Sequence, residues 1–81
     1  MHDERRQDVL QRHGLTETQD GFTVTLAGFQ KAAQRARGLR ATGNEEAARM
    51  LALDPADPAR WEYARCLQID AFSKEAHESG F

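Results

Sequence analysis

The sequence predicts a mainly α-helical (α+β) fold over residues 1–81, a small single-domain bundle with an N-terminal helix, a short β-hairpin near residues 15–26 and three further helices. Three observations predict it. Asp57-Pro58 stands just before Ala59-Arg60-Trp61-Glu62-Tyr63, where an Asp N-cap and a first-turn Pro open a helix carrying the only Trp and the only Tyr. Phe22, Val24 and Leu26 alternate with Thr23 and Thr25, the period of a strand, directly after Asp20-Gly21. Elsewhere apolar residues recur at helical spacing between Gly and Pro stops.

Each element follows from local chemistry. Asp3 to His13 is polar with Val9 and Leu10 as its apolar pair, and Gly14-Leu15 has the form of a helix C-terminal stop. Leu15 to Gln19 and Phe22 to Leu26 pair as a hairpin across a type I′ turn at Asp20-Gly21. An isolated hairpin is marginal in water, so Phe22, Val24 and Leu26 must pack on helices or on a partner. The second helix runs from Leu26 or Ala27 to Arg37, with Thr25 as a cap. Leu26, Phe29, Ala32, Ala33 and Ala36 form its stripe, and Gly38 is its stop. Thr42 and Glu45 have capping-box spacing, with Asn44 as the competing cap, and a third helix follows to Leu53. The fourth runs from Pro58 to His77. At 100° per residue, Trp61, Tyr63, Ala64, Leu67 and Ala71 share one face, while Cys66, Ile69 and Ala76 lie on the far side.

That second stripe matters because apolar material is scarce. Only 14 of the 81 residues are Ile, Leu, Val or Phe, about 17%, against roughly 20% below which chains of high net charge are disordered. The net charge is only −2, so folding is expected, around a thin core. A second copy covering Cys66, Ile69 and Ala76 would supply the missing cover, and a homodimer is the expectation.

Chemistry-bearing constellations are few. His2, His13, Cys66 and His77 are scattered, without the spacing that places two ligands on one helix face, so no metal is expected. His77 near a helix end is explained by the helix dipole. Ser73, Ser79 and Cys66 lack a Gly-rich elbow and a neighbouring base, and Glu45-Glu46 point to different faces while complementing a helix N-terminus. No loop has the glycine count of a phosphate cradle. No catalytic residue and no cofactor are expected. A single cysteine excludes an internal disulfide framework, and no apolar run is long enough to cross a bilayer. Met1 to Arg6 is mixed in charge, unlike a signal peptide, so a cytoplasmic protein of bacterial or phage type is expected.

Charge is uneven. Residues 21–40 hold Lys31, Arg35, Arg37 and Arg40 and no acid, which leaves −6 on the other sixty-one residues. A helix C-terminal end accounts for part of this, since cations are favoured there. The functional expectation is a non-enzymatic protein–protein interaction module: a small regulator, adaptor, inhibitor or accessory subunit. Cys66, Ile69 and Ala76 would bury against another copy or a larger partner, and Lys31, Arg35, Arg37 and Arg40 would steer an acidic surface. The alternative is a small nucleic-acid-binding regulator using residues 31–40. Against it, the four cations do not form one stripe, and Glu45-Glu46 would repel phosphate.

Overall fold

The computed structural model describes residues 2–80, with helix α1 (His2–Arg12), strands β1 (Leu15–Thr18) and β2 (Gly21–Val24), and helices α2 (Leu26–Ala41), α3 (Glu45–Ala52) and α4 (Pro58–Ser79). The fold is mainly α with a two-stranded antiparallel hairpin, as the sequence predicts. Phe81 lies outside the described residues.

Most boundaries follow the capping chemistry. Thr25 Oγ1 accepts from Gly28 N at 3.1 Å and opens α2. Asp57 Oδ1 accepts from Ala59 N at 2.9 Å, with Pro58 in the first turn of α4. Of the two caps proposed for α3, Asn44 is used: its Oδ1 accepts from Ala47 N at 2.9 Å. Thr42 instead closes α2, donating its hydroxyl to Leu39 O at 2.8 Å.

Three boundaries differ from the sequence reading. Gly38 does not stop α2, which continues to Ala41; the positive φ that ends it belongs to Gly43, at 95°. Both glycines offer the same local signal, and only one takes the left-handed conformation. The hairpin pairs Leu15 with Val24 and Thr18 with Gly21, so its turn is Gln19-Asp20 rather than Asp20-Gly21. Neither turn residue has positive φ, which excludes type I′, and Gly21 carries φ 137° instead. Leu26 leaves the strand because Thr25 caps α2 there, and it is 65% exposed in the first helical turn.

Two apolar clusters share α4. Val9, Leu10, Leu15 and Phe72 form one, with Phe22 and Ile69 against it; Phe29, Ala32 and Ala64 form the other, with Val24, Trp61 and Leu67 alongside. The buried line on α4 is therefore Arg60, Ala64, Gln68 and Phe72, an i+4 row inclined to the helix axis. Trp61 and Tyr63 are half-buried. The Trp61 ring stacks on Phe29 at 4.0 Å, and its N–H donates to Pro55 O at 2.9 Å.

This arrangement corrects the position of Ile69. Part of the far side of α4 packs within the chain on the α1–hairpin cluster: Ile69 is half-buried there, while Cys66 is exposed.

The α1–hairpin unit is held at its junction. Gly14, with φ 70°, abuts Gly28 so closely that a Cβ on either would collide with the other's backbone. Gly14 O accepts from Thr25 N at 2.8 Å and from Thr25 Oγ1 at 3.1 Å. Gln68, fully buried, donates its amide to His13 O at 2.7 Å. Beyond the junction, Glu75 accepts from Arg12 at 2.6 Å and contacts His13 Nε2 at 2.8 Å.

Two outcomes are expected. Gly28→Ala should lower stability by about 3 kcal/mol, because backbone atoms cannot move aside. Gly38→Ala should raise it by about 0.5–1 kcal/mol, since its Cβ meets open space in mid-helix. Urea melts of both variants check the pair. Secondly, the guanidinium of Arg12, and after it His13, hold the Glu75 carboxyl below its usual 4.5. A lowered carboxyl stabilises the fold above its unfolded value and loses that contribution as pH falls through the lower folded one. The melting temperature should therefore drop on acidification below about pH 4.5, and Glu75→Gln should shrink that drop in thermal scans.

Candidate functional site: the basic face of α2 and its groove with α4

Lys31, Arg35, Arg37 and Arg40 are all exposed on α2, but they do not converge. At 3.6 residues per turn, Lys31 and Arg35 lie about 40° apart, and Arg37 points about 200° away from Arg35. Lys31 Nζ donates to the carbonyl of Arg12. Among the described residues none of the four forms an ion pair, whereas Arg6, Arg12 and Arg65 are paired with Glu17, Glu75 and Glu62.

Arg35 lines a groove of about 450 Å³ between α2 and the C-terminal half of α4. Its floor is Gly38, Leu39, Leu67 and Ala71, and its rim carries Arg35, Asp70 and Lys74. Residues 35, 38, 39 and 42 face residues 67, 70, 71 and 74, so each helix offers two turns at i, i+3/i+4, i+7 spacing. A bare backbone at Gly38 deepens the floor, and nothing in the chain fills the space its Cβ would occupy. Lys74, Leu39 and Leu67 were not singled out as site residues. The signal was present in their spacing, but the sequence does not say that these two helices lie side by side.

The three α4 residues proposed for partner contact are separated by the fold. Cys66 is exposed, Ile69 is half-buried on the α1–hairpin cluster, and Ala76 is half-buried near the helix end. None of them lines the groove. The Cys66 thiol is pushed above its usual 9.0, first by partial burial and then by the Glu62 carboxylate, whose Oε1 lies 3.7 Å from Sγ. A thiol shifted upward is protonated at neutral pH and is a poor nucleophile.

Among the described residues no group of three His, Cys, Asp or Glu is placed to hold a metal ion, and no helix is long and apolar enough to cross a membrane. No family model matches the chain, and neither a curated protein nor a solved structure is significantly similar to it.

Alkylation of Cys66 by iodoacetamide is expected to be slower at pH 7.5 than for a cysteine in an unstructured peptide, despite the residue's exposure. Glu62→Gln should quicken it. Equal rates in protein and peptide would show that Glu62 and burial do not govern the thiol.

Proposed function

We propose that this chain is a non-enzymatic protein-binding module, a small regulator, adaptor or accessory subunit that takes an acidic partner on the α2–α4 side. The observation that carries the reading is the groove: an apolar floor of Leu39, Leu67 and Ala71 beside Arg35 and Lys74, which have no carboxylate partner among the described residues. Apolar contact supplies affinity there, and unpaired rim charge supplies orientation and association rate. A helix of the partner, lying along two turns of each wall, matches the length and spacing of the groove. Because Ile69 already packs within the chain on the α1–hairpin cluster, the reading favours a different protein in the groove over a second copy on the far side of α4.

A second reading, nucleic-acid binding through residues 31–40, is favoured by the unneutralised cations of α2. It is disfavoured by their spread around the helix and by the overall charge of −2.

Affinity capture from the cells that make the protein tests the proposal, with the intact chain compared against Leu39→Asp and Arg35→Glu, both checked for helicity. A partner held through the groove should bind Leu39→Asp at least about tenfold more weakly, the loss expected from spoiling a central apolar contact. Arg35→Glu should mainly slow association and flatten its salt dependence. Proteins captured equally by all three chains would remove the groove from the mechanism. Titration of random duplex across a salt series tests the second reading: a steep loss tracking Lys31, Arg35, Arg37 and Arg40 supports it, and no binding at low salt removes it.

A further inference from the structure

Arg60 is a buried cation without a counter-ion. It is 8% exposed, yet among the described residues no carboxylate pairs with it. Its guanidinium lies 5.2 Å from the centroid of the Phe29 ring, and Nη1 donates to Leu53 O over a long 3.4 Å. Burying a cation is unfavourable unless it is paired and hydrogen-bonded. A cation–π contact and one long hydrogen bond offset part of this. A guanidinium has five N–H donors, and the chain occupies one group.

The unused donors are not sealed inside the protein. The only buried side-chain nitrogen or oxygen without a partner among the described residues is Gln68 Oε1, so the free N–H groups of Arg60 reach open space. Arg60 lines a pocket of about 430 Å³ beside α2, under the segment that leads into α4. Arg37 lines it from α2, with Gln30 and Gln34 as neutral amides and Phe29 and Pro55 as apolar walls. No carboxylate lines it. The pocket is therefore lined by two arginines and two glutamines and by no acidic residue.

We propose that this pocket binds a phosphate group. Two uncompensated positive charges are matched by one dianion. The planar fork of arginine suits phosphate oxygens bidentately, and the amide N–H groups of Gln30 and Gln34 serve the oxygens that remain. Occupancy would also complete the solvation of Arg60, so binding should stabilise the fold. The pocket is distinct from the α2–α4 groove, since Arg37 and Arg35 project about 200° apart, and the proposal stands whether or not the groove takes a protein. The phosphate can be free, as inorganic phosphate or a small monoester, or it can be carried on a phosphorylated side chain of another protein.

The test is a titration of the full chain with sodium phosphate at pH 7.5, against sodium chloride of equal ionic strength, followed by ¹H–¹⁵N spectra and thermal melts. Saturable shifts of the Gln30 and Gln34 side-chain amides and the Arg37 and Arg60 Nε–H groups are expected, with a higher melting temperature in phosphate. Arg37→Gln alters an exposed residue and should leave the unliganded melt unchanged while weakening phosphate at least about tenfold, the scale of one lost charged hydrogen bond. Arg60→Met keeps the stem packed on Phe29 and should abolish saturation. A phosphoserine peptide and its unphosphorylated twin separate the sources. Tighter binding of the phosphopeptide than of inorganic phosphate points to a protein source, and equal binding points to a free one. The proposal is overturned if phosphate acts no differently from chloride, if Arg37→Gln binds it as the parent does, or if acetate shifts the same signals at the same concentration.

Discussion

The rest of the structure depends on the contact between Gly14 and Gly28. A hairpin of four-residue strands and an eleven-residue helix cannot hold together alone, and their joint apolar face must be delivered onto α4. The approach of two Cβ-free backbones makes that delivery possible. It brings Gly14 O to both donors of Thr25 and His13 O to the buried amide of Gln68. His13 and Gly14, held by Thr25, Gly28 and Gln68, thus join the α1–hairpin unit to α2 and α4. With the junction in place, Phe22, Leu15 and Phe72 close around Leu10, and Arg6 lies over the Phe72 ring at 5.8 Å while pairing with Glu17.

Electrostatics follow from how this small core is anchored. Five of the thirteen acids are engaged in structure: Asp54 and Asp57 cap backbone N–H groups, while Glu17, Glu62 and Glu75 hold arginines. Exposed pairs of this kind contribute little energy each, but they take the negative charge out of play locally. The cations of α2 receive no such partners. A chain of net charge −2 therefore presents a basic helix, one side of which borders an apolar groove while the other meets the buried Arg60. Tight anchoring of the α1–hairpin unit and the unpaired charge on α2 are two aspects of one allocation.

The helix count, the hairpin and the caps Thr25 and Asp57 were legible because capping and alternation are local, while Thr42 and Asn44 competed for the start of α3. Thr25, Asn44 and Asp57 each satisfy a backbone donor two or three residues ahead, and no distant residue is needed to recognise them. Gly38 was misread for the same reason that Gly14 was legible. A glycine after a helical stripe signals a stop, and the sequence carries no mark of whether its φ becomes positive. Of the candidate site, the basic charge of α2 was legible as composition. The groove was not, because Leu39 and Leu67 are twenty-eight positions apart and meet across one wall-to-wall space only after α2 and α4 align. Arg60 was passed over because a lone arginine in a helix reads as solvated.

By itself, the sequence determined that four helices form and where the fourth begins, that a two-stranded hairpin follows the first one, and that positive charge concentrates between residues 31 and 40. These are short-range consequences of side-chain hydrogen bonding, strand period and simple charge counting. The tertiary structure alone decided which side of α4 is covered by what, leaving Ile69 half-buried and Cys66 exposed. It also decided which cations stay unpaired. The physical reason is that burial and ion pairing are set by neighbours in space, and here those neighbours come from segments up to 63 positions away, as Arg12 and Glu75 do.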